Sequence, residues 1–135
     1  MPKVYRVMVE EDGQPKLGLG SRCLGVRVPQ DIQSPGGNVI PETGGMSVAP
    51  SLQALPPGLV PKRLRHLYEG AIGPDSGAVW SHGNGPFARR RLTPRLVLRP
   101  DRPGHGLVEP DAPMPLEIYQ AALAGTRVGW CKDEV

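Results

Sequence analysis

Proline and glycine interrupt this chain so often that only one stretch can hold a helix of any length. Its 135 residues include 18 glycines and 17 prolines. That share approaches low-complexity sequence, but it has no period and stands beside 39% hydrophobic residues. Such a chain folds as a loop-rich domain of short elements. Pro50, Pro56, Pro57 and Pro61 each remove a backbone donor and bias the preceding residue toward extended geometry, so extended connecting structure is expected as far as Arg65. After Pro115 the pattern changes. Leu116, Tyr119, Ala122 and Leu123 recur at spacings of three and four. Pro115 suits a first turn, Glu117 favours the positive end of the dipole, and Gly125 can close the C-terminus. Together they predict one helix, Leu116 to Gly125.

Strand signals fill much of the rest. Val4 to Glu10 is rich in strand formers and ends at the Asp12-Gly13 turn. Further strands are expected at Leu24 to Val28, closed by Pro29, at the segment running into Val48, at Ala78 to Trp80, at Leu96 to Leu98 and at His105 to Glu109. With one Phe, two Trp and three Tyr, aliphatic packing must carry the core. His82, between Ser81 and Gly83, reads as an exposed loop histidine, and Trp130 to Val135 as a charged, frayed tail. No internal repeat is present. The expectation is one α+β domain, spanning residues 1–135.

The formal charge of +3 is a weak pull toward anionic ligands or nucleic acid. Basic residues concentrate in Lys62 to Arg65 and Arg89 to Arg102. Cys23 and Cys131 lie far apart without a Cys-x-x-Cys spacing, which argues against zinc. Reduced thiols in a cytoplasm are the simpler expectation, with a single bridge as the alternative. Neither metal nor classical hydrolase chemistry is expected: a His-Glu-x-x-His helix is missing, as is a Gly-x-Ser-x-Gly elbow. The first residues lack the apolar core of a signal peptide, and no apolar run reaches membrane-spanning length.

Three places offer chemistry. In Val39-Ile40-Pro41-Glu42-Thr43-Gly44-Gly45-Met46-Ser47-Val48 a glycine pair allows positive φ or close approach and delivers a hydroxyl, Ser47, two residues later. Its plain reading is a bend into a strand with Ser47 facing solvent; its functional reading is a hydroxyl on a pocket rim. Arg6 lies inside the first strand, sharing a face with Val4 and Met8 if Tyr5, Val7 and Val9 face the core. It is either a snorkelling surface residue or a guanidinium lining a cleft, placed for a phosphate. His105, Leu107 and Glu109 share a face of the last strand.

Four segments, in order, resemble the Tse-two group of type VI secretion exported toxins. They are Val4-Tyr5-Arg6-Val7; Arg27-Val28-Pro29-Gln30-Asp31-Ile32 leading into Pro41-Glu42-Thr43-Gly44-Gly45-Met46-Ser47-Val48; Leu55-Pro56-Pro57 with a basic continuation; and His105-Gly106-Leu107-Val108-Glu109-Pro110-Asp111-Ala112-Pro113-Met114 before a helix. They run from Val4 to about Leu123, with Gly70 to Arg102 matching poorly. The resemblance implies an ADP-ribosyltransferase-like fold, in which two small antiparallel sheets form a cleft for NAD, and a toxin that consumes NAD as substrate. By motif, Arg6 contacts the nicotinamide ribose or phosphates, Ser47 supports the nicotinamide ribose and ring with Thr43 behind it, and Gly44 and Gly45 shape that turn. His105 is the late-strand residue. Glu109 is the candidate for the transferase acid, with Glu42 as the alternative. Met46 stands where the family can carry a second hydroxyl. The resemblance further implies an immunity protein occluding the cleft and action in the cytoplasm of the producer or, after secretion, of a target cell. The competing readings are an RNA-directed toxin or nucleic-acid binder using the arginine clusters, and a non-catalytic module that binds a partner.

Overall fold

The computed structural model describes the whole chain, Met1–Val135. Its strands are β1 (Val4–Glu11), β2 (Gln14–Pro15), β3 (Asn38–Val39), β4 (Met46–Val48), β5 (Gly77–His82), β6 (Arg90–Thr93), β7 (Leu96–Arg102), β8 (His105–Pro110), β9 (Met114–Pro115) and β10 (Cys131–Lys132). The single α-helix, α1 (Leu116–Ala124), lies where the apolar spacing predicts it, with Tyr119 and Leu123 buried. An α+β, strand-rich architecture with antiparallel sheets and few helices therefore agrees with the sequence.

Two four-stranded sheets dominate, ordered β10-β5-β1-β2 and β4-β8-β7-β6, with a small β3-β9 pair beside them. In the first sheet β1 runs antiparallel to β5, with Arg6 opposite Trp80. In the second, β4 pairs with β8 and places Ser47 opposite Leu107. The sheets meet at a seam where Tyr5 and Ala49 exchange backbone hydrogen bonds of 2.8 and 2.9 Å. Arg6 and Ser47 are thereby brought to adjoining edges.

The larger core lies between the sheets and under α1. It gathers Val4 and Met8 of β1, Trp80 of β5, Val48, Leu98 and Val108 of the second sheet, and Tyr119 of α1. A smaller cluster buries the opposite faces of β1 and β5, Val7 and Val79, under Leu52, Leu55, Val60, Leu64 and Ala71. The proline-rich segment is thus a lid on the first sheet. Its short 3-10 turns, Leu52–Ala54 and Lys62–Leu64, are what prolines permit between extended stretches. Both faces of β1 are covered, and it is the Val4, Arg6 and Met8 face that joins the main core.

Three expectations are corrected. Leu24 to Val28 is not a strand, although Leu24 and Val26 are buried. The Val26 backbone pairs instead with a side-chain amide: Gln120 Nε2 donates to its carbonyl at 3.0 Å, and its N–H donates to Gln120 Oε1 at 3.3 Å. His82 is not a loop residue but ends β5, only 5% exposed, with its ring 5.4 Å from that of Trp130. The tail is not frayed. Trp130 is buried, Cys131 and Lys132 pair with β5, Asp133 accepts from the Ser81 hydroxyl at 2.8 Å, and Glu134 takes two 2.8 Å bonds from Arg63. Both cysteines are free, and no helix is long and apolar enough to cross a membrane.

Candidate active site

The polar groups of the seam converge on a cavity of about 590 Å³, a volume within the ~300–1,000 Å³ usual for small-molecule sites. Arg6 enters from β1, Ser47 from β4, and His105 and Arg102 from the β7–β8 hairpin, with Arg27 and Asp31 closing one side. Leu55, Pro56, Leu59 and Tyr68 of the proline-rich lid form an opposite, largely apolar wall.

Arg6 is 6% exposed and forms no ion pair. Nη1 donates to the Ser47 carbonyl at 2.8 Å, while Nε and Nη2 donate to the Cys23 carbonyl at 3.2 and 3.0 Å. Burial pushes its pKa down to about 10, with nearby Asp31 opposing, so the group remains a cation at neutral pH. These bonds use three of the five guanidinium N–H groups. A desolvated cation satisfied only by carbonyls lacks an anionic partner, and the wall of a cavity is where one can be supplied.

Ser47 is half-buried between Met46 and Val48, both in the core, so strand alternation turns it to the cavity. Two features fix β4. Backbone crowding leaves no space for a Cβ on Gly44, beside the Asp31 carbonyl, or on Gly45, beside the Val108 carbonyl. The Tyr119 hydroxyl donates to the Val108 carbonyl at 2.5 Å and accepts from the Met46 N–H at 3.3 Å. Burial raises its pKa well above the ordinary phenol value, so it stays a donor.

His105 Nδ1 lies 2.6 Å from Asp101 Oδ1. Burial works to raise the Asp101 carboxyl, but the hydrogen bond and charge of His105 outweigh it and hold the group below its ordinary value. Elsewhere in the lining Arg27 grips Asp31 through Nε at 3.2 Å and Nη2 at 3.0 Å, and the Asp31 carbonyl accepts from the Gly45 N–H at 2.9 Å.

Arg6, Ser47 and His105 therefore share one cavity, while the remaining candidates lie off its lining. Thr43 bonds the Ile40 carbonyl at 2.6 Å within its own turn, and Gly44 and Gly45 serve backbone packing. Glu42 is an exposed partner of Arg89. Glu109 is fully buried, paired with Arg99 at 2.8 Å and with Oε1 unpartnered; burial raises its pKa, with Arg99 opposing. Sequence reasoning did not single out Arg27, Asp31, Arg102 or Asp101 as site residues. The four-residue interval between Arg27 and Asp31, inside the matched Asp-Ile segment, was the available signal for the first two. Compared with known proteins, the chain matches no family model, no curated sequence and no solved structure.

Proposed function

We propose that this protein is a bacterial toxin domain of ADP-ribosyltransferase-like fold that consumes NAD, by transferring ADP-ribose to a macromolecule or to water. The observation that carries this reading is Arg6, a buried cation without an acid partner, in the wall of a cavity that also holds Ser47 and His105. The charges of the site suit the substrate. NAD presents two phosphate charges, and among the arginines lining the cavity Arg6 has no acid partner, while Arg27 and Arg102 are paired with Asp31 and Asp101.

Cleavage of the nicotinamide–ribose bond builds positive charge on the sugar while nicotinamide leaves neutral, so catalysis demands positioning and electrostatic complementarity. Arg6 anchors a phosphate or the nicotinamide ribose, Ser47 hydrogen-bonds the ribose and ring, and His105 addresses the far side of the sugar. Asp31, fixed by Arg27, is the carboxylate that faces the developing charge, whereas Glu109 acts as a buried prop for β7 and β8. A toxin of this kind requires an immunity protein at home, and covering the seam would suffice to block it. The nucleic-acid alternative has less support, because Arg89, Arg91, Arg99 and Arg102 are each paired with an acid, leaving Arg90 and Arg95 of that cluster without one.

Nicotinamide release by the purified protein tests the reading. Release by the wild type, with or without a cell lysate as acceptor source, should fall at least ~100-fold in the Ser47→Ala, His105→Ala double variant. Absence of both release and NAD binding in the wild type would exclude it.

A further inference from the structure

The histidine at the cavity mouth has a dedicated partner. Of the three histidines, only His105 meets a carboxylate. That carboxylate belongs to Asp101, at an irregularity in the β7–β8 ladder: Pro100 pairs with Gly106 and Arg102 with His105, so Asp101 is the extra residue between them. Such bulges re-aim a side chain that a regular pleat would send elsewhere. Here the bulge brings Asp101 to 2.6 Å from His105 Nδ1, while Arg102 Nη1 reaches its other oxygen at 3.4 Å. Both side chains are largely shielded, 18% and 19% exposed.

We infer that Asp101 is a positioning residue that makes His105 the general base toward the ADP-ribose acceptor, an inference that rests on the NAD-consuming reading. An ionised carboxylate only accepts hydrogen bonds, so Nδ1 must carry the proton. In the neutral ring Nε2 then holds the lone pair, and it has no protein partner. In the step assigned to it, an acceptor hydroxyl or water forms a bond from oxygen to the anomeric carbon of the ribose. The nicotinamide–ribose bond breaks, its electron pair leaves with nicotinamide, and the acceptor proton passes to Nε2. No further reactant is needed. The same carboxylate then stabilises the imidazolium that results.

The test uses the full chain labelled with ¹⁵N at histidine, at a pH where the imidazole is neutral. Ring nitrogen shifts should show His105 as the Nδ1–H tautomer in the wild type, and as largely Nε2–H in Asp101→Asn, whose amide can donate to Nδ1. In parallel, kcat for nicotinamide release should drop about 100-fold in Asp101→Asn with KM for NAD nearly unchanged, and Asp101→Glu, which keeps a carboxylate, should recover part of it. Melting curves establish that each variant is folded, and if Asp101→Asn is not, Asp101→Glu and the wild-type tautomer decide. An Nε2–H tautomer in the wild type, or unchanged kcat in the folded Asn variant, overturns the assignment. A wild type with the expected tautomer but neither NAD binding nor turnover would overturn the role through failure of the NAD reading, leaving the dyad itself intact.

Discussion

At Gly45 the missing side chain is a packing requirement. An added Cβ would collide with the Val108 carbonyl and stand 3.2 Å from the Tyr119 hydroxyl, the group that joins β4, β8 and α1. Gly45→Ala should therefore push β4 from β8 and lower stability by about 1–3 kcal/mol, read as a shift in urea midpoint, and should weaken the proposed NAD turnover because Ser47 moves with β4. The Thr-Gly-Gly-x-Ser pattern makes this turn legible in the sequence, and the motifs around Arg6 and His105 mark those two residues. Glu109 shows where such reading stops. Strand parity correctly put it on the face of His105, but parity gives no distance, and four residues along a strand are about 13 Å. That step takes Glu109 out of the cavity and against Arg99. Asp101 was illegible for the opposite reason, since a bulge suspends the parity on which the reading depends.

Among the elements, β5 and β10 differ most from their sequence-based description. Ala78 to Trp80 gave the strand, but its extension through His82 depends on β1 and on the tail that covers it. Charged residues near a terminus suggest fraying only while their partners are unknown, and here Arg63, Ser81 and Lys3 supply them. His82 adds a pH dependence to this closure. Burial lowers its pKa, with the positive N-terminus adding to the effect, so the unfolded chain takes up the proton first as pH falls. Stability is then intact above the ordinary imidazole value of 6.5 and declines as pH drops below it. Urea midpoints should fall between about pH 7 and about pH 5.5, and His82→Phe should flatten that decline. The depressed carboxylates of Asp133 and Glu134, where hydrogen bonds outweigh burial, act in the same direction only in the more acidic carboxylate range. Leu24 to Val28 failed as a strand because its backbone finds scattered partners, Lys16 and Gly18 at Leu24 and the distant Gln120 side chain at Val26, pairings that local propensity cannot encode.

For the molecule as a whole, the two sheets pack on a common core but share few hydrogen bonds: the Tyr5 and Ala49 backbone pair, reinforced by Arg6 reaching the Ser47 carbonyl. The guanidinium that faces the cavity is also a tie across it. Arg6→Met should cost about 1–3 kcal/mol by leaving the Cys23 and Ser47 carbonyls without their donor, a loss visible in thermal and urea unfolding, whereas Ser47→Ala should melt close to the wild type. Legibility follows the same division. The sequence announced a loop-rich α+β fold, but which strand edges meet depends on long-range pairing, such as that of Tyr5 with Ala49, that local pattern does not carry. On the toxin reading proposed above, random mutagenesis of this protein would then yield harmless alleles of two kinds. Those at Arg6 would add scarcity, a chain cleared before it accumulates, to the loss of the cavity's cation, and those at Ser47 would report silence alone, a chain present at full abundance. Immunoblots of the surviving colonies, more than their number, would tell which lesions reached the chemistry.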